Sequence, residues 1–131
     1  MSEARRDNRP DLRAGKKYRI KRNKEISRIF RQGRRASDSL ITLRALPNAD
    51  MEVRARLGVA VTKRHGGAVR RNRIKRLCRE AFRLVRYELP GGYDYVILPH
   101  VGAELTLEKL IRSLKALAPR ATGHQSGEVG S

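Results

Sequence analysis

Residues 69–87 read Val69-Arg-Arg-Asn-Arg-Ile-Lys-Arg-Leu-Cys-Arg-Glu-Ala-Phe-Arg-Leu-Val-Arg-Tyr87. Counted from Arg73 at about 100° per residue, Ile74, Leu77, Cys78, Ala81, Phe82, Leu84 and Val85 fall between about 20° and 180°. On the same wheel Lys75, Arg76, Arg79, Arg83 and Arg86 fall between about 200° and 300°, with Arg73 at the seam and Glu80 at the far edge. The stretch is therefore an amphipathic helix with one face for a core and a row of cations opposite. Solvated helix faces usually interleave acid with base at i,i+4 spacing, because like charges at that spacing repel. A row of five cations with one acid is better explained by a polyanion lying on it. Arginine dominates the row, which suits bidentate phosphate or base-edge contacts better than lysine would.

Outward from this helix the periodicity changes to two. Upstream, Val53, Ala55, Leu57, Val59 and Val61 alternate with Arg54, Arg56, Gly58, Ala60 and Thr62, a strand over 53–62 with one core face and one small or basic face. The small face either leaves room for something to lie on the sheet or is, at least as commonly, a solvated sheet face. Residues 40–46 form another strand, with Ile41, Leu43 and Ala45 on one side and Leu40, Thr42, Arg44 and Leu46 on the other. Pro47-Asn48-Ala49-Asp50 makes the turn between these two. Downstream, residues 94–98 form a strand entered by Gly91-Gly92 and stopped by Pro99. Thr106 caps a helix that aligns Leu107, Leu110, Ile111, Leu114 and Leu117. Asn23 caps a short first helix carrying Ile26, Ile29 and Phe30, closed by Gly33. Cys78, in the apolar arc, reads as a small core residue.

The charge is unevenly distributed. The 131 residues carry a formal net charge of +18. Counting along the chain gives +10 for residues 1–35, zero for 36–62, +9 for 63–86 and −1 for 87–131. Residues 1–17 mix charge, Gly and Pro without apolar periodicity and are expected to be a disordered basic arm. Residues 119–131 are expected to be a disordered tail, which leaves one domain over 18–118. The N-terminus lacks the apolar segment of a secretory signal, and no run is long enough for a membrane helix. One cysteine excludes an internal disulfide framework and a cysteine-based zinc cluster. The expectation is a cytoplasmic protein that meets a polyanion and no membrane.

The run Lys63-Arg64-His65-Gly66-Gly67-Ala68-Val69-Arg70-Arg71-Asn72-Arg73-Ile74-Lys75-Arg76-Leu77-Cys78-Arg79-Glu80-Ala81-Phe82 resembles the signature of the protein component of bacterial ribonuclease P. Arg56-Leu-Gly-Val-Ala-Val-Thr-Lys-Arg before it, and Arg19-Ile-Lys-Arg-Asn with Ile29-Phe30 and Gly33, follow the family's order. The resemblance spans residues 18–118. It implies an α/β two-layer sandwich of αβββαβα order, a four-stranded mixed sheet with three helices. The additional strand would lie near residues 34–37, where no periodicity marks it. The resemblance further implies that Arg71, Asn72, Arg73, Lys75, Arg76 and Arg79 contact the catalytic RNA subunit, one RNA with one protein. Lys63 and Arg64 extend that RNA-binding set. Phe30, Arg44 and Arg56 would line a cleft for the single-stranded 5′ leader of precursor tRNA. Ile26 and Arg44 stand where the family often has an aromatic residue, so this cleft relies more on charge than on stacking. Magnesium would be held mainly by the RNA subunit and the substrate phosphates.

Residues for protein-borne catalysis are thin. His65, His100 and His124 are scattered, and no Ser/His/Asp or Cys/His set or carboxylate cluster stands at metal-ligand spacing. His65, beside Gly66-Gly67, reads as a loop histidine for phosphate rather than a general base. The chain is thus expected to be an accessory subunit of an RNA-catalysed endoribonuclease, without an active site of its own. Composition alone would favour another small basic RNA-binding protein such as a ribosomal protein, against which the Arg71-Asn72-Arg73 run argues. A metal-dependent nuclease acting alone lacks its carboxylates.

Overall fold

The computed structural model describes residues 19–20, 23–48 and 55–123. Its elements are α1 (Asn23–Gln32), β1 (Arg34–Ser37), β2 (Ile41–Pro47), β3 (Arg56–Val59), α2 (Ala68–Val85), β4 (Tyr93–Pro99) and α3 (Leu107–Thr122). Single 3-10 turns, Lys63–His65 and Arg86–Glu88, flank α2. The order is the αβββαβα expected, and the four strands form one mixed sheet ordered β1-β2-β4-β3. β2 pairs antiparallel with β1 and β4, whereas β3 lies parallel to β4 and is joined to it through α2. β1 has only Ala36 buried among its four residues, so no hydrophobic alternation announces it.

Side-chain alternation sorts the strands into two faces. Ile41, Leu43 and Ala45 of β2, Leu57 of β3 and Tyr95 and Ile97 of β4 meet Cys78, Ala81 and Phe82 of α2. Leu110, Leu114 and Leu117 of α3 complete this main core. Cys78 is fully buried within it, and burial pushes its thiol up to about 12. A second, smaller core of Ile20, Ile29 and Val96 lies under α1, with Ile26, Phe30, Leu46 and Ala60 half-buried around it. The two helices of the main core and the short first helix therefore sandwich the sheet unequally. Ile20 N donates to Leu57 O at 2.8 Å, so residues 19–20 extend the sheet at the outer edge of β3.

Several boundaries differ from expectation by a residue or two, and two ends differ by more. The last helix does not stop at 118 but continues through Pro119 to Thr122, where Gly123 ends it at φ 81°. Proline removes one backbone donor, but Ala118, Ala121 and Thr122 are all buried, and Thr122 Oγ1 donates to Ala118 O at 2.9 Å. Burial of the final turn thus outweighs the missing bond. β3 is shorter than the expected 53–62, although Ala60 N still donates to Ile97 O at 2.9 Å. Turn residues 49–50, strand residues 53–54, the arm over 1–17 and the tail from 124 onward lie outside the described residues. Thr106 caps α3 as expected, its side chain accepting from Lys109 N. Asp38 ties the β1–β2 turn to α3, accepting from Leu40 N, Ile41 N and the Ser113 hydroxyl at 2.8, 3.0 and 2.7 Å.

Candidate nucleic-acid interface

Burial of Cys78, Ala81, Phe82 and Val85 against the sheet fixes the rotation of α2 and turns its polar arc outward. Asn72, Arg73 and Arg76 are exposed there, and Arg71, Lys75 and Arg79 are half-buried. Among the described residues no carboxylate comes within ion-pairing distance of Arg70, Arg71, Arg73, Lys75 or Arg76. Desolvated, hydrogen-bonded acids would have neutralised such a row; here its field is left for an external anion.

The row is shorter than the wheel implied. Arg83 holds Glu80 in a two-pronged pair of 3.1 and 2.6 Å, and this hydrogen bonding lowers the Glu80 carboxyl below its ordinary range. Arg86 is buried, donates Nε to Ala55 O at 2.9 Å and stacks 5.1 Å above the Tyr87 ring. The helix ends at Val85 and tightens into a 3-10 turn, so a rotation of about 100° per residue no longer applies at Arg86. Arg86 is a structural cation.

Lys63 and Arg64 stand exposed on the 3-10 turn that leads into α2. His65, in the same turn, is buried. Its Nδ1 accepts from Thr62 N at 3.0 Å and its Nε2 faces Pro99 O at 2.7 Å. An amide can only donate and a carbonyl can only accept, so the hydrogen is on Nε2 and both ring nitrogens are engaged. The expected phosphate-binding histidine is instead a pin between this turn and the end of β4. Gly66 follows at φ 119°, and a Cβ there would lie 2.6 Å from Arg70 Cδ. Glycine at 66 thus lets Arg70 fold back over the turn.

On the opposite sheet face, the three residues expected in a leader cleft have different fates. Arg44 lies 4.9 Å over the Phe30 ring, so the guanidinium covers a face of the aromatic. Its Nη1 reaches Gly33 O at 3.4 Å, while its buried Nε has no partner. Arg56 is held by Asp94 through two bonds of 2.8 Å, with Glu25 at 3.8 Å. That hydrogen bonding raises the Arg56 pKa and leaves its charge largely compensated. The room expected over Gly58 is taken by protein: a Cβ there would lie 2.9 Å from Ile26 Cγ1. The small residue admits α1 rather than a ligand.

What remains is a polar cleft of about 270 Å³ where α1, the edge of β3 and α2 meet, lined by Arg19, Asn23, Gly58, Val59, Lys75 and Arg79 among others. It brings the N-terminus of α1 and the basic helix together. Arg19 and Asn23 were not singled out as binding residues from sequence; the cluster of basic residues before α1 was the available signal. Magnesium prefers oxygen ligands, carboxylates foremost. Among the described residues no three His, Cys, Asp or Glu gather to hold a metal ion, and Glu80 and Asp94 are tied to arginines.

The family model described as Ribonuclease P matches residues 14–122. The chain is 38% identical over 112 residues to the ribonuclease P protein component of Shouchella clausii, covering 79% of this chain and 91% of that protein. It is 38% identical over 115 residues to the counterpart from Desulfovibrio desulfuricans, covering 86% and 88%. Among solved structures, the RNase P protein of Staphylococcus aureus superposes with a TM-score of 0.67 at 29% identity, covering 82% of this chain and 98% of that one. The protein from Thermotoga maritima superposes at 0.68 with 26% identity, covering 78% and 96%. A basic helix joining two parallel strands, a match across nearly the whole described domain and this set of relatives lead to one assignment: the chain belongs to the ribonuclease P protein family.

Proposed function

We propose that this protein is the accessory subunit of a cytoplasmic ribonucleoprotein in which a catalytic RNA removes the 5′ leader of precursor tRNA. The observation that carries the reading is the run of cations on α2, Arg70, Arg71, Arg73, Lys75 and Arg76, that no carboxylate among the described residues neutralises. The protein's part is to screen the phosphates of two RNAs against each other and to hold the leader. Arg71, Asn72, Arg73, Lys75, Arg76 and Arg79, with Lys63 and Arg64, meet the catalytic RNA. The polar cleft beside α1, together with the Phe30–Arg44 stack, meets the leader. There the guanidinium plane of Arg44 offers a base the stacking surface that an aromatic would otherwise supply. Arg56 acts indirectly, anchored to Asp94 beneath α1. Magnesium in this reading belongs to the catalytic RNA and the substrate phosphates.

The test is cleavage of precursor tRNA by protein alone, RNA alone and both, across a range of magnesium concentrations. Stimulation of the RNA at low magnesium, with tighter binding of leader-bearing substrate, is expected. Cleavage by protein alone would assign the chemistry to the protein instead. Phe30→Ala is expected to weaken binding of leader-bearing tRNA more than binding of the catalytic RNA. Equal losses would make Phe30 a core residue only.

A further inference from the structure

A second cleft lies on the other flank of α2, away from the first helix. It has a volume of about 500 Å³, is open to solvent and is walled on one side by the loop over residues 100–105. That size falls in the range of about 300–1,000 Å³ typical of small-ligand sites. Ile74 and Leu77 of α2 and Leu105 of the loop form an apolar floor, each only partly buried. Arg64, Arg70 and Arg73 line the α2 side, exposed and without a carboxylate partner among the described residues. Glu104 lines the loop side, its carboxylate 3.8 Å from Lys109 Nζ. The rim is therefore polarised, cationic toward the helix and acidic toward the loop.

The loop is anchored where it leaves β4. His100 Nδ1 donates to Ser39 O at 3.2 Å and its Nε2 accepts from the Thr42 hydroxyl at 2.9 Å, the pairing that a carbonyl partner requires. A hydrophobic floor inside the most basic region of the molecule is not what a duplex backbone needs, since phosphates would reach only the rim. An unstacked nucleotide needs both, an apolar surface for the base and cations for its phosphate.

We infer that this cleft receives a single unpaired, extruded nucleotide of the RNA bound along α2, with its base on Ile74, Leu77 and Leu105 and its phosphate toward Arg64, Arg70 and Arg73. The inference rests on the reading of α2 as an RNA-binding helix. The repulsive carboxylate of Glu104 sets the direction of entry, phosphate toward the helix.

Two measurements on the full-length protein test it. First, a benzophenone amino acid replacing Val101, which lines the cleft and is 47% exposed, is photo-crosslinked to the catalytic RNA, with and without precursor tRNA. One adduct at an unpaired nucleotide is expected, and the two arms tell whether catalytic RNA or tRNA supplies it. Adducts absent or spread over paired segments would overturn the inference. Second, Ala103→Phe fills the cleft without changing charge. It is expected to weaken RNA binding about tenfold with the salt dependence unchanged, since phosphate contacts set that dependence. Wild-type affinity in a variant that melts like wild type would leave the cleft to a protein partner and overturn the inference. Should Ala103→Phe melt early, the crosslink at 101 decides alone. If Ala103→Phe is silent while arginine variants of α2 flatten the salt dependence, only the cleft assignment falls; if both are silent, the RNA-binding reading falls with it.

Discussion

Replacing Arg73 and Arg76 together by alanine removes two exposed guanidinium groups that no carboxylate among the described residues neutralises. Neither side chain belongs to the main core, and alanine is the better helix former, so stability should stay within about 0.5 kcal/mol of wild type. Each phosphate contact releases roughly 0.7–0.9 of a counterion, so losing two should flatten the log–log salt slope by about 1.5. Carried from about 1 M salt, where this contribution vanishes, to about 0.15 M, two contacts amount to a factor of about 20 in affinity. The assay is fluorescence anisotropy of labelled catalytic RNA titrated with full-length protein at several monovalent salt concentrations and fixed divalent concentration. The Arg73→Lys, Arg76→Lys pair keeps both charges and should keep the slope, losing only what bidentate geometry adds. An affinity loss equal at every salt concentration, or a double mutant that no longer folds, would refute the assignment of these residues to phosphate.

Arg86→Leu should cost about 2 kcal/mol in urea melting, because a charged hydrogen bond to the Ala55 carbonyl is lost, while the RNA salt slope stays put. A flattened slope would return Arg86 to the RNA face. For Asp38, burial works to raise the pKa, but bonds from Ile41 N, the Ser113 hydroxyl and Leu40 N together bring it below the ordinary 3.8. A carboxylate lowered on folding stabilises above its unfolded value and loses that contribution as pH falls through the folded one. Asp38→Asn should therefore be less stable than wild type at neutral pH, and the gap should close on acidification below 3.8; a pH-independent gap would mean that shape, not charge, matters there. The Cys78 thiol, buried and pushed up to about 12, should react with maleimide at neutral pH only as fast as the protein unfolds. Rapid labelling of the native protein would contradict its place in the core.

The parts of the fold that were legible before the structure are those whose information is local. α2 and α3 each repeat apolar residues at helical spacing over four turns or more, β2 sets Ile41, Leu43 and Ala45 on one side, and β4 is a short apolar run bounded by Gly91-Gly92 and Pro99. β1 has the sequence Arg-Arg-Ala-Ser, which carries no period, and exists because the main core that β2 and α3 build takes in Ala36 and β2 gives its backbone a partner. Pro119 is a sound local reason to end a helix, overridden by the burial of Ala121 and Thr122.

The same division runs through the candidate site. Composition and period alone established that a cationic arc exists on one helix, that an apolar arc backs it, and that the charge is concentrated in two segments. They could not establish which cations remain available, because that depends on what each guanidinium meets at long sequence separation. Arg56 finds Asp94, Arg86 finds the Ala55 carbonyl, and His65 finds the Pro99 carbonyl. Periodicity reports the direction in which a side chain leaves its own element, set by backbone geometry over a few residues. Pairing and desolvation are set by the neighbouring elements, and only the packing of α1, the sheet and α2 decided which charges are structural and which stay open to an external anion.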